Sequence, residues 1–183
     1  MSALWTLQGL TARQGRTTVL LDVRRAAHDA DSFEAAVSAA ASIVAANGAQ
    51  RDLVRLVTTD GADSGFGSGG THVQALLEHL AVVDTSGSAS LRTMLDLLRR
   101  DGQGALVVVV GRTAQDDLRA AARLRQRFGL VTVVQVTDDA GAPGAPAASA
   151  TLVRVTPSSP FAPAWDRAMR AASSRRARAG VGT

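Results

Sequence analysis

Two rhythms of apolar residues alternate along this chain. Short β-branched runs occur at "TTVLLDV" (17–23), "LVRLVTT" (53–59), "ALVVVVG" (105–111), "LVTVVQV" (130–136) and "ATLVRVT" (150–156). Runs of this length, closed by turn residues, read as strands covered on both faces. Between them, apolar positions recur every three or four residues, the helical period. This spacing predicts helices over 31–47, with Phe33, Val37, Ala40, Ala41 and Val44 on one face, and over 71–83, with Val73, Leu76, Leu77 and Leu80. Further helices are predicted over 90–100, through Leu91, Met94, Leu95 and Leu98, over 114–128, and from 161 to about 176.

End signals support these boundaries. Asp31 with Glu34 three positions on suits a capping box, and Gly48 stands where a helix would stop. Asp116 and Asp117 open the fourth helix while Arg123, Arg125 and Arg127 close it, matching the helix dipole. Strands that alternate with helices imply a mostly parallel sheet wrapped on both faces, a doubly wound α/β domain. Residues 1–16 are then an N-terminal extension, 17–170 the domain and 171–183 a basic, disordered tail.

Composition narrows the function classes. The chain has 183 residues, 46% of them hydrophobic and 20% charged, the balance of a folded globular protein. It has no Cys, so disulfides and thiolate metal sites are excluded. No apolar stretch reaches the length of a spanning helix and the N-terminus lacks a secretory core, which predicts a cytoplasmic chain. Of the 20 basic residues, all are Arg, and the net charge of +4 arises in the tail. A nucleic-acid binder would interleave its basic stripe with stacking aromatics, but only 3% of residues are aromatic and none is Tyr, so sequence-specific nucleic-acid binding is not expected.

In a doubly wound sheet, ligands bind beyond the carboxyl ends of the strands where the strand order reverses. Asp22 ends the first run, and Gly111, Arg112 and Thr113 follow the third. A hard cation needs several converging oxygens. Asp22 brings one carboxylate, and Arg24, Arg25 and Arg112 would crowd the same rim with fixed positive charge, so an internal ion pair between Asp22 and an arginine is expected, with no bound metal. The Gly-rich "GFGSGGTH" (65–72) lacks the Lys of a phosphate loop and reads as a flexible hairpin tip. His28, His72 and His79 are spaced unlike a metal-ligand pair and are expected at the surface or in helix packing. No Ser sits in a strand-to-helix GxSxG elbow. No catalytic set or cofactor is expected.

The stretches "TVLLDVRRAAHDADSFEAAVSAAASI", "VRLVTTDG", "LLEHLAVVDTSGSASLRTML" and "GALVVVVGRT", with the "FAPAWDRA" ending, resemble a bacterial family, the domain of unknown function 58, in its actinobacterial form. The resemblance implies a domain similar to the von Willebrand factor type A fold. Such domains often carry a metal-ion-dependent adhesion site opening with Asp-x-Ser-x-Ser. Here "DVRRA" keeps Asp22 and puts Arg24 and Ala26 at the serine positions. The second element, a Thr, would fall near Ser88, and the third, an Asp, would fall at Gly111 or Arg112. The resemblance therefore implies the fold with a degenerate adhesion site. Family members are usually longer, with transmembrane helices, and their genes tend to lie beside those of MoxR-type AAA+ ATPases. The implied function is a non-catalytic protein-interaction module, working with such an ATPase and reaching a membrane only indirectly. The alternative is an anion- or nucleotide-binding sensor or enzyme using Arg24, Arg25, Arg112 and the helix N-terminus after Thr113.

Overall fold

The computed structural model describes residues 15–138 and 150–180, without the side chains of 175–180. The N-terminal extension up to residue 14 and most of the Pro/Gly loop (139–149) lie outside the described residues. Five strands, β1 (Arg16–Leu21), β2 (Leu53–Thr58), β3 (Ala105–Val110), β4 (Leu130–Val136) and β5 (Thr151–Val155), form one sheet in the order β2-β1-β3-β4-β5. Every pairing is parallel.

The helices are α1 (Ala30–Ala49), α2 (Gly70–Val82), α3 (Leu91–Asp101), α4 (Gln115–Arg123) and α5 (Phe161–Gly180), with single 3-10 turns at Arg25–Ala27 and Leu124–Gln126. Alternate strand residues feed the two sides. Val19, Leu21, Val107, Val109 and Val134 meet α1, α2 and α5, where Trp165 is buried; Leu20, Leu106, Val108, Val131 and Val133 meet α3 and α4. The protein is thus a doubly wound α/β fold of the Rossmann or von Willebrand factor type A class. Among the described residues no helix is long and apolar enough to cross a membrane.

Three local expectations are corrected. The cap of α1 is Asp29, whose carboxylate accepts from the Ser32 N–H at 2.8 Å while the Ser32 hydroxyl accepts from the Asp29 N–H at 3.0 Å; Asp31 lies inside the first turn. A serine completes this box in place of the expected glutamate. Gly48 does not end α1. It lies within the helix, where a Cβ would come 2.5 Å from Val73 Cγ2, so its smallness lets α1 and α2 approach. Arg51, with φ of 61°, takes the left-handed conformation just past the end of α1 instead. At the other end of the chain, α5 runs to Gly180, beyond the predicted helix end near 176; Ala and Arg are strong helix formers.

The Gly-rich stretch is tied to the sheet edge. Antiparallel bridges join Val57 to Asp63 and Val54 to Gly67, and Asp63 pairs with Arg55. Phe66 lies 5.7 Å from both the Arg16 and the Arg55 guanidinium carbons. A return segment thus covers part of the edge of β2, in place of the flexible tip that its glycines suggested.

Candidate functional site

The order in which strands are added reverses between β1, whose crossover leads to β2 on one side, and β3, whose crossover leads to β4 on the other. The crevice beyond these two strands is the switch point of the sheet. Asp22 follows β1 directly, and its N–H donates to the Val109 carbonyl at 2.8 Å, which fixes it against β3. Its carboxylate is 0% exposed.

That carboxylate is held chiefly by one side chain. Arg24 Nε lies 2.9 Å from Oδ1 and 3.1 Å from Oδ2, and Nη2 lies 2.7 Å from Oδ2, a forked, charge-assisted pairing. The Arg24 N–H adds a bond to Oδ1 at 3.1 Å, and Thr59 Oγ1 approaches the same oxygen at 3.3 Å. The guanidinium continues outward, donating to Thr113 Oγ1 at 2.6 Å and lying 3.9 Å from Asp117 Oδ2. The hydrogen bond to Asp22 strengthens the hold of Arg24 on its proton more than burial weakens it. The expected internal ion pair is therefore formed, with Arg24 as the partner and Arg112 elsewhere.

The fit to a divalent metal follows from this donor set. Both Asp22 oxygens face N–H donors and Thr113 Oγ1 accepts from the same guanidinium, so the oxygens that a cation would collect already surround a positive charge. Among the described residues no group of three or more His, Asp or Glu side chains could hold a metal ion. The residues present do not fit a metal-ion-dependent adhesion site.

The other predicted residues are separated from Asp22. Arg25 and Arg112 are exposed on the rim. Ser88 is exposed too, and its hydroxyl bonds to Ser86 Oγ at 3.1 Å. The rim is nonetheless fixed by main-chain bonds: Ser86 N–H to Val23 O at 2.7 Å, Arg25 N–H to Ser86 O at 3.0 Å, and Arg112 N–H to Ala27 O at 2.8 Å. Gly111 permits the last of these, since a Cβ there would sit 2.2 Å from Ala27 O.

Three participants were not legible in the sequence. Thr59, at the end of β2, accepts from the Val23 N–H at 2.9 Å and turns its hydroxyl toward Asp22. Asp117, predicted only as a dipole partner, also faces Arg24. His28, expected at the surface or in helix packing, is 6% exposed and packs edge-on against Phe33 of α1 at 5.5 Å. Its Nε2 lies 2.9 Å from Asp22 O. A carbonyl can only accept, so Nε2 carries the hydrogen, and Nδ1 is left without a partner. Burial lowers the His28 pKa from its ordinary value.

No protein-family model matches the chain, and no curated protein matches it.

Proposed function

We propose that the chain is a non-catalytic protein-interaction module whose docking surface is the rim of the switch-point crevice, independent of any metal. The carrying observation is the Asp22–Arg24 pair: the position where a bound cation would face a partner is filled by the chain's own guanidinium. What remains for a partner is a fixed polar rim of Arg25, the 84–90 loop and Arg112. Because its main chain is already fixed, such a rim loses little backbone entropy on docking. The sequence resemblance makes a MoxR-type AAA+ ATPase the proposed partner, and any membrane association would come through it.

The anion- or nucleotide-binding alternative is less well supported. Arg24 is committed to Asp22, and Asp116 and Asp117 occupy the first turn of α4, where they oppose an anion at that helix N-terminus. Biolayer interferometry with a purified MoxR-type ATPase tests the proposal. Wild type should bind, and the exposed double variant Arg25→Glu, Arg112→Glu should bind at least ~10-fold more weakly, as for loss of rim charge pairs. Equal binding by both would remove this rim from the interface, and no binding by wild type would remove the ATPase as partner. A saturable rise in melting temperature with nucleotide would favour the alternative.

A further inference from the structure

A second charged surface lies away from the switch point. α3 and α4 pack side by side on one face of the sheet, and between them runs a groove of about 580 Å³. Its floor is apolar, built from Leu95 and Leu124, which are buried, and the half-buried Ala120. Its walls are exposed arginines: Arg92, Arg99 and Arg100 from α3, Arg123 from α4 and Arg127 just beyond. Arg92 stands 4.0 Å from Asp117. The other four have no carboxylate within 4.0 Å among the described residues, and Asp96 is the one acidic side chain lining the groove.

Helix dipoles do not account for so much charge. Arg99, Arg100 and Arg123 lie in last turns, where a cation is favourable. Two helix ends together present about one unit of negative charge, against four unpaired guanidinium groups. Mutual repulsion makes such a cluster unfavourable in the free protein and relieves itself when an anionic partner arrives. The geometry is also fixed: at Gly102 a Cβ would meet Arg127 Cβ at 2.6 Å, so the α3–β3 turn closes tightly against the end of the groove.

We propose that this groove docks an acidic, amphipathic peptide segment of a protein partner. From Arg92 to Arg100 the α3 wall is about 12 Å long, roughly two helical turns, which suits a segment of chain better than a single ion. The apolar floor offers burial to aliphatic side chains, and the arginine walls offer forked pairing to carboxylates. No aromatic residue lines the groove to stack a base, and Asp96 stands midway along it, opposing a continuous phosphate backbone. Charge complementarity therefore favours a peptide over a nucleic acid. This surface lies on the α3/α4 face and does not depend on the rim proposal.

Fluorescence anisotropy on the full chain tests it, using a labelled helical peptide with Glu on its flanks and Leu along one stripe. Saturable binding at low salt is expected, weakening at least ~10-fold at physiological ionic strength as the charges are screened. A control peptide with Gln for Glu should not bind, and one with Ser for Leu should bind more weakly. The double variant Arg99→Glu, Arg123→Glu should lose binding while still melting in one cooperative transition, and Arg25→Glu with Arg112→Glu should bind as wild type does. Equal binding by the Arg99, Arg123 variant would overturn the proposal. So would tighter binding of an oligo-dT strand or of pyrophosphate than of the peptide, or indifference to the Leu stripe, since each would assign the groove to polyanions at large.

Discussion

Removing the Arg24 guanidinium without its bulk isolates the central electrostatic claim. In Arg24→Met the Asp22 carboxylate, 0% exposed, keeps only the residue 24 N–H at 3.1 Å and the Thr59 hydroxyl at 3.3 Å, both long. Breaking a buried pair from one side costs about 3–5 kcal/mol, because a charge stays buried without compensation. Arg24 itself is 23% exposed, so water can enter part of the vacated space, which points to the lower end, about 3 kcal/mol.

The variant should therefore remain folded, since domains of this kind hold about 5–15 kcal/mol, and melt roughly 6–12 °C lower at neutral pH. Urea unfolding followed by circular dichroism gives the difference between variant and wild type. Replacing both partners, Asp22→Leu with Arg24→Met, should recover most of the loss, as apolar substitutes for buried pairs do. A destabilisation below about 1 kcal/mol would refute the reasoning, as would a double variant no better than the single one.

Three other outcomes are expected. His28 is buried neutral, so its folded pKa is lowered below the ordinary 6.5, chiefly by burial. Its contribution is present above the unfolded value and is lost as pH falls through the folded one, so between about pH 7 and pH 5 the stability of His28→Gln should fall less steeply than that of wild type in urea titrations. Gly111→Ala puts a methyl 2.2 Å from Ala27 O and should cost about 1–3 kcal/mol, read as a lower urea midpoint. Asp29→Ala should lower the urea midpoint by removing the α1 cap, whereas Asp31→Ala should leave it nearly unchanged; the reverse order would return the cap to Asp31.

Strands and helix faces were legible because burial writes its period into the sequence: "ALVVVV" can only be covered on both sides, and Leu91, Met94, Leu95 and Leu98 can only share a helix face. What was not legible depended on contacts between distant segments. Gly48 looks like a helix stop until Val73 is seen against it, and no local rule reports that approach. The same holds at the site. Asp22 and Arg24 are two residues apart, and their pairing was within reach of sequence reasoning. Thr59 is 37 positions from Asp22 and joins it only through the β1–β2 register, and His28 turns inward only because Gly111 leaves room beside it.

The tethered guanidinium also limits what the crevice can do. A bound divalent cation leaves coordination positions open, and a partner's carboxylate can complete them, so affinity then depends on an exchangeable ion. Arg24 offers no such opening: its Nε and Nη2 serve Asp22, Nη2 also reaches Thr113, and Nη1 faces Asp117 at 3.9 Å. Its charge is therefore spent inside the chain, and under the two proposals the attraction for a partner would come from Arg25 and Arg112 on the rim and from the arginines of the α3/α4 groove. Both surfaces are exposed to solvent, so association through either should be sensitive to salt and indifferent to a chelator. The buried pair contributes by fixing the loops between which the rim is displayed.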